Sequence, residues 1–137
     1  MAKAILYYSL SGTTKAAAEK LAAETGAELI EISEKRKRNI ITAFIPGCPQ
    51  AGGLKASAIN PPAQDLSAYE ELTLMAPIWA GHPAPALNAM INLLPAGKTI
   101  SLICTAGKPE GYSLDKTAAL ITAKDCTIGE TRCFKPE

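Results

Sequence analysis

The chain has 137 residues, enough for one domain with a single hydrophobic core. Hydrophobic residues make up 47% and charged residues 20%, a balance that excludes a disordered chain. Fourteen Lys and Arg against thirteen Asp and Glu leave a net charge of +1, which is too small for neutralising the phosphates of a nucleic acid. We therefore expect a single domain over residues 1–137 that binds a small or only locally charged ligand.

The sequence predicts neither a membrane span nor an export signal. Its most apolar region, residues 72–94, is interrupted by prolines, asparagines and a histidine, unlike a bilayer span of about twenty apolar residues. The N-terminus lacks the apolar core and small-residue cleavage site of a signal peptide. These features predict a cytoplasmic protein with no membrane partner.

The cysteines and the histidine predict neither disulfides nor a metal site. The cysteines are sparse, form no Cys-x-x-Cys pair and accompany no export signal, so we interpret them as reduced thiols: Cys48, Cys104, Cys126 and Cys133. The only histidine, His82, has no cluster of soft ligands around it in the sequence, which argues against a bound metal.

The first part of the chain predicts a strand, a tight loop, a helix and a second strand. Residues 4–8 are apolar and aromatic, residues 9–14 are small and polar, and residues 14–25 are rich in Ala with charged residues on the other side. Residues 27–32 alternate small or apolar with acidic side chains, as in a half-buried strand. Residues 34–62 contain a charged run and many Pro and Gly, and we interpret them as a broken helix with loops.

The second part alternates strands with helices. Residues 72–78 are almost continuously apolar, which is typical of a central parallel strand buried on both faces. A helix follows at residues 83–94, with Pro83 and Pro85 expected in its first turn. The remaining predicted elements are a strand at 98–104, a helix at 113–124 and a strand at 127–134. This alternation implies right-handed βαβ crossovers and a mostly parallel sheet, whose ligands bind at the carboxyl ends of the strands.

The loop between the first strand and the first helix has the residues of an anion site. Hydroxyl side chains and one glycine lie at the N-terminus of the helix: Ser9, Ser11, Gly12, Thr13 and Thr14. Hydroxyls and helix N–H groups donate hydrogen bonds to phosphate oxygens, and glycine lets the backbone approach closely. The Walker A and Gly-x-Gly-x-x-Gly motifs are absent, which argues against a nucleoside triphosphate and a dinucleotide. Simple N-capping by Ser or Thr is the alternative.

At this loop the sequence resembles the flavodoxin family, whose phosphate loop reads Thr/Ser-x-Thr/Ser-Gly-x-Thr directly after the first strand. Ser9, Ser11, Gly12 and Thr14 match this pattern, and the resemblance extends to about residue 134. It implies a flavodoxin-like α/β fold with a doubly wound parallel five-stranded sheet in the order 2-1-3-4-5. It also implies FMN as the cofactor, with its phosphate on this loop.

The loop after the third strand looks like the Pro-x-Trp-x-Gly version found in that family. Its residues are Pro77, Ile78, Trp79, Ala80 and Gly81. The resemblance implies that Trp79, expected in a loop outside the core, stacks on the isoalloxazine ring of FMN. Ala80 stands where the family commonly has glycine. The alternative is that Trp79 fills the top of the core.

The loop after the fourth strand is small and rich in turn residues. The resemblance implies that backbone N–H groups of Thr105, Ala106 and Gly107 hold the pyrimidine edge of the ring, with Tyr112 on its outer face. Tyr112 is otherwise an exposed residue that opens a helix. His82 either contacts the flavin edge or lies on a surface loop, and we favour the surface loop.

The resemblance implies an FMN-binding electron-transfer protein with no catalytic side chain of its own. We expect no Lys or Arg near the ring, which would disfavour negative charge on reduced FMN and favour a low potential. One alternative is an NAD(P)H-dependent FMN or quinone reductase on the same fold. Another is a flavodoxin-fold binding module without flavin.

The expected partners are a redox protein or a small-molecule electron acceptor. The family's final helix is missing after residue 134, so one face of the sheet beside the first helix is expected to lack cover. Because the central strands are expected to be apolar on that face, we predict a homodimer or another partner that covers it.

Overall fold

A parallel sheet organises the chain. The computed structural model describes residues 2–10, 12–35, 57–79, 82–107 and 114–135. Its elements in chain order are β1 (Lys3–Tyr7), α1 (Thr13–Thr25), β2 (Glu28–Glu31), a short 3-10 helix (Leu66–Ala68), β3 (Glu71–Trp79), β4 (His82–Pro83), α2 (Pro85–Asn92), β5 (Thr99–Thr105), α3 (Asp115–Thr122) and β6 (Thr127–Phe134).

The strand order is β2-β1-β3-β5-β6, and each of these neighbouring pairs is parallel. The short strand β4 pairs antiparallel with the end of β3 and lies off this path. When β4 is left out of the numbering, the order becomes 2-1-3-4-5. The predicted flavodoxin-like doubly wound topology is therefore confirmed.

The predicted broken helix at residues 34–62 lies mostly outside the described residues, which resume at residue 57. On the two sides of that gap, Glu34 and Ile59 form an isolated antiparallel bridge. Lys35 N–H donates to the carbonyl of Ala58 at 2.9 Å, which supports the same pairing. The chain therefore returns to the end of β2 before it enters β3.

The larger core lies between the sheet and the helices α2 and α3. Successive side chains of a strand face opposite sides, so every second residue of each central strand points into this core. Leu6, Leu74 and Leu102 from three adjacent strands are completely buried there, as are Leu87 and Met90 of α2. The packing of these side chains fixes the three strands and α2 against one another.

Helix α1 covers the opposite face. Ala18 is its most deeply buried apolar residue, and the predicted apolar stripe of the helix packs around it. The strand residues beneath α1 are Ile5, Tyr7, Met75 and Ile103. With 13 residues α1 is the longest helix in the described part of the chain, and no helix there is long and apolar enough to cross a membrane.

Beyond α1, the same face of the sheet is polar. The register aligns Lys3 with Glu71, and in the next row Thr73 with Ser101. Lys3 Nζ lies 3.3 Å from the Glu71 carboxylate. Among the described residues, only Leu93, which follows α2, is a large apolar residue with an exposed side chain. On this face the central strands are therefore apolar only beneath α1, which covers them, and the homodimer stays a prediction without an exposed apolar surface in the described residues to support it.

Strand β3 is longer than predicted and includes residues that were expected in a loop. It extends to Trp79, so Pro77, Ile78 and Trp79 belong to the strand. Pro77 pairs with Thr105 of β5, and its carbonyl accepts a hydrogen bond from Ala84 N–H at 2.9 Å. These partners keep the chain extended, whereas the sequence pattern suggested an earlier end because proline is rare inside strands.

Helix α2 starts later than predicted. His82 and Pro83 form β4 and pair with the end of β3, so the expectation that Pro83 lies in the first helical turn is wrong. The helix begins at Pro85, where a missing N–H costs little. Ala84 before it is extended, with φ −56° and ψ 150°, as the residue before a proline prefers.

Candidate functional site

A cleft of about 320 Å³ opens at the carboxyl ends of β1, β3 and β5. Its volume falls within the range of about 300–1,000 Å³ that is usual for small-molecule sites. The lining residues come from all three predicted segments and from the end of β6: Ser9, Leu10, Thr13, Thr14, Pro77, Ile78, Trp79, Thr105, Ala106, Gly107 and Lys135. The structure thus brings the predicted segments together on one cleft.

The remaining predicted site residues are not among these lining residues. Ser11, Ala80, Gly81 and Tyr112 lie outside the described residues. Gly12 is described and lines a neighbouring cleft that adjoins the first one at Ser9. Within the described ranges, no group of three or more His, Cys, Asp or Glu side chains is arranged to hold a metal ion.

The N-terminus of α1 provides positive electrostatic potential at the cleft. Gly12 is the N-cap residue, with φ 92°, and it has no side-chain oxygen to accept from the first-turn N–H groups. Ser9 Oγ accepts a hydrogen bond from Gly12 N–H at 2.9 Å, which holds the loop against the helix. The first turn contains no acidic residue, so no carboxylate there offsets the helix dipole. Because Thr13 and Thr14 line the cleft, this end of α1 favours an anion.

A buried hydrogen bond joins the first and third segments. The Oγ1 atoms of Thr14 and Thr105 lie 2.8 Å apart, and the two residues are only 2% and 4% exposed. Leaving one such hydroxyl buried without a partner costs about 1–3 kcal/mol. The bond therefore fixes the start of α1 against the end of β5. No local sequence pattern indicates this contact, because the two residues are 91 positions apart.

Trp79 lies at the boundary between the cleft and the core. It lines the cleft, but it is only 7% exposed and belongs to the larger core. The expectation that Trp79 lies in a loop outside the core is therefore wrong, because β3 continues to this residue. Its ring meets Tyr8 edge to face, with centroids 5.9 Å apart and an interplanar angle of 78°. Stacking of a ligand ring on Trp79 stays a prediction, and such a ring would meet the small exposed part of the indole.

The third segment is tied to the end of β6. Ala106 N–H donates to the carbonyl of Phe134 at 3.1 Å, which extends the pairing of β5 with β6. Among the amides predicted to hold the ring edge, this one therefore already has an acceptor. Gly107 follows it on the exposed rim of the cleft.

Lys135 is a lining residue that sequence analysis did not identify. It follows β6 directly, and its side chain is exposed at the cleft. The expectation of a site without Lys or Arg is therefore wrong. Its position directly after the last strand is the sequence feature that indicates a place at the cleft, because the carboxyl ends of parallel strands meet at one edge of the sheet.

The neighbouring cleft, of about 290 Å³, is lined by two carboxylates and one cation, Lys15. Its lining includes Glu31, which accepts a hydrogen bond from the Tyr7 hydroxyl at 3.2 Å, and Glu34, which accepts one from Tyr8 at 2.6 Å. Burial raises the pKa of Tyr7, and the charge of Glu31 adds to this effect. Carboxylates repel a phosphate dianion, so the first cleft is the better site for one.

Solved structures similar to this chain include flavoproteins and flavodoxins. A flavoprotein from Lactobacillus acidophilus NCFM in complex with FMN is 21% identical, with a TM-score of 0.77 over 98% of this chain and 93% of that one. The two-electron reduced flavodoxin of Megasphaera elsdenii is 17% identical, with a TM-score of 0.59 over 99% and 87%. The apo form of an NADH:FMN oxidoreductase is 18% identical, with a TM-score of 0.60 over 98% and 76%. No protein-family model and no curated protein sequence matches the chain.

The chain therefore has the flavodoxin-like α/β fold. Its cleft lies beside β1 and β3, where the strand order reverses, which is where open parallel sheets bind their ligands. The fold therefore accounts for the position of the cleft, and the residues that line the cleft determine which ligand it can bind.

We predict that the Thr14–Thr105 hydrogen bond gives a non-additive effect on stability. Thr105→Val should lower the free energy of unfolding by about 1–3 kcal/mol, because it leaves the buried hydroxyl of Thr14 without its partner. Thr14→Val should act likewise, and the double variant should lose clearly less than the sum. Urea denaturation measures these values.

The matched control is Thr73→Val, a half-buried strand position on the polar face of the sheet. It should change the free energy of unfolding by less than about 0.5 kcal/mol. Strictly additive losses for Thr14→Val and Thr105→Val would contradict the role given to this bond.

Proposed function

We propose that this protein binds FMN in the cleft and carries electrons with it. The observation that carries the proposal is the meeting of a helix N-terminus, hydroxyl side chains and apolar side chains on one cleft. A ligand that suits both parts has a phosphate at one end and a planar apolar ring system at the other. FMN is such a ligand, and it is bound in the similar flavoprotein from Lactobacillus acidophilus.

The phosphate end of the cleft has donors that suit a dianion. Ser9 Oγ accepts from Gly12 N–H, so its own hydrogen remains to donate to a phosphate oxygen. Thr13 adds an exposed hydroxyl in the first turn of α1. No acidic side chain is present among the described lining residues. The positive end of α1 would therefore stabilise the phosphate charge.

The ring end of the cleft is more apolar. Pro77, Ile78, Trp79 and Ala106 contribute to its lining and would limit the access of water. FMN supplies the electron-transfer chemistry when it is bound, and these residues orient it and set the polarity around it. The Thr14–Thr105 hydrogen bond would hold the two ends of the site at a fixed separation.

Lys135 would make the potential of the bound flavin less negative. A cation that faces the cleft stabilises negative charge on a reduced ring more than the neutral oxidised ring. The side chain is exposed, so water screens most of this effect. We therefore propose a moderately raised potential in place of the low potential expected for a cleft without cations.

A second candidate function is direct oxidation of NAD(P)H with transfer to FMN or a quinone. The similarity to an NADH:FMN oxidoreductase is the observation that favours it. Steady-state consumption of NADH by the FMN-loaded protein, with a quinone as acceptor, would select this function. For the carrier function, we propose a cytoplasmic location and either a redox protein or a small molecule as the electron acceptor.

We predict that the protein binds FMN and that Thr13→Ala weakens this binding by about 10- to 100-fold. A hydrogen bond to a charged group is worth about 1.5–3 kcal/mol, and riboflavin lacks the phosphate that would receive it. Wild type and variant should therefore bind riboflavin within about threefold of each other. Fluorescence titration measures both ligands, and Trp79, the only tryptophan, reports binding at the cleft.

Thr122→Ala is the control for this experiment. Thr122 is an exposed threonine at the end of α3, distant from the residues that line the cleft, and its loss should leave both affinities unchanged. Equal weakening of FMN and riboflavin by Thr13→Ala would mean that the phosphate lies elsewhere. A protein that takes up no FMN would favour a binding module without flavin.

We predict that Lys135→Gln lowers the midpoint potential of the bound FMN by about 20–60 mV, since tenfold in affinity corresponds to about 59 mV for one electron. Lys3→Gln removes the same charge at the exposed start of β1, at the opposite end of that strand from the cleft, and serves as control. Spectroscopic redox titration measures both variants. A potential that stays unchanged, or shifts equally in both, would contradict the role of Lys135.

A further inference from the structure

Two cysteines face each other on neighbouring strands next to the cleft. Cys104 of β5 and Cys133 of β6 occupy paired positions in the parallel register. Neighbouring strands lie about 4.8 Å apart. A disulfide bridges Cα atoms separated by about 4.4–6.8 Å. The register therefore allows a bond between the two sulfur atoms without a change of fold.

The two thiols differ in their access to solvent. Cys104 is completely buried, whereas Cys133 is only half-buried at the edge strand of the sheet. A small reagent can therefore meet Cys133 first. Cys104 lies behind it in the larger core, where its remaining neighbours are apolar.

The thiols also interact directly. Cys104 donates a hydrogen bond to Cys133, which lowers the pKa of the Cys133 thiol to about 7, although partial burial acts in the opposite direction. The same hydrogen bond, together with burial, raises the pKa of Cys104 well above its usual value. The thiolate is the reactive form of cysteine, so the exposed member of the pair is also the better nucleophile.

Cys126 provides a contrast within the same chain. It is buried, and its Sγ donates to the carbonyl of Pro95 at 3.2 Å. Cys126 precedes β6 and takes no part in the pairing between β5 and β6, so it does not lie opposite another cysteine in that pairing. This thiol has the features of an inert structural cysteine.

We propose that Cys104 and Cys133 form a thiol–disulfide exchange site that reacts with small-molecule disulfides such as oxidised glutathione. The Cys133 thiolate attacks one sulfur of the reagent, and the other sulfur leaves as a thiolate that takes up a proton. Cys104 then loses its proton and attacks the Cys133 sulfur of the mixed disulfide, which releases the second thiol. Two protein thiols are oxidised to one disulfide, and the reagent is reduced to two thiols.

The two cysteines are adjacent in the sequence to residues at the cleft, so a disulfide between them would affect the cleft. Cys104 directly precedes Thr105, and Cys133 directly precedes Phe134, whose carbonyl holds Ala106. The exchange reaction itself requires no bound FMN. Its test is therefore independent of the proposed function, and either proposal can fail without the other.

The test is incubation of the purified wild-type protein at neutral pH in buffers of oxidised and reduced glutathione. Remaining thiols are then blocked by alkylation, and peptide mapping by mass spectrometry locates the modified cysteines. We expect a Cys104–Cys133 disulfide, seen as the loss of two hydrogens from the protein. A wild type that keeps both thiols reduced, or stops at a mixed disulfide on Cys133, would overturn the proposal.

Single variants test the order of the two steps. Cys104→Ser keeps a hydrogen-bond donor beside Cys133 and should accumulate the mixed disulfide at Cys133. Cys133→Ser should react at Cys104 at least about tenfold more slowly, because that thiol is buried and protonated. Cys126→Ser is the matched control and should form the Cys104–Cys133 disulfide as wild type does. Equal reaction rates for Cys104→Ser and Cys133→Ser would contradict the assigned roles.

Discussion

Parallel pairing of β1, β3 and β5 is the constraint on which the candidate site depends. The register aligns Tyr7 with Met75 and Met75 with Ile103, so the strands end at nearly the same level of the sheet. Right-handed crossovers return the chain to the opposite edge each time, and the residues after each strand therefore meet at one edge. Helix α1 starts there, and the hydrogen bond between Thr14 and Thr105 joins it to β5. The cleft is thus a consequence of topology, and its chemistry depends on which side chains follow the strands.

Charge divides this edge of the sheet into two regions. The cleft beside β1 and β3 combines the N-terminus of α1 with Lys135 and has no carboxylate among its described lining residues, whereas the neighbouring cleft contains Glu31 and Glu34 beside Lys15. A phosphate group would be attracted by the positive charge in the first region and repelled by the carboxylates in the second. Burial adds a further distinction, because Trp79 turns most of its surface to the core and only a small part to the cleft. The described site therefore favours an anionic group at the helix and a flat apolar group against the strand ends.

The sequence predicted most of the elements because each has a strong local signal. The Ala-rich helix ends at Gly26, which has φ 74°, and the apolar run of β3 reads as a central strand. The strand order came from the resemblance to flavodoxins rather than from any local pattern. The extension of β3 to Trp79, the position of Lys135 and the Cys104–Cys133 pair all depend on pairing between strands that are distant in the sequence. Local patterns contain no information on such pairing, and the cysteines could be interpreted only one at a time.

The most direct test of the account is amide chemical-shift mapping of the labelled protein with FMN and, separately, with riboflavin. We expect FMN to shift the amide signals of Gly12, Thr13 and Thr14 together with those of Thr105 and Gly107. Riboflavin should shift only the second group, because it has no phosphate for the start of α1. Identical shifts with both ligands, or an FMN response confined to the cleft that contains Glu31 and Glu34, would contradict it.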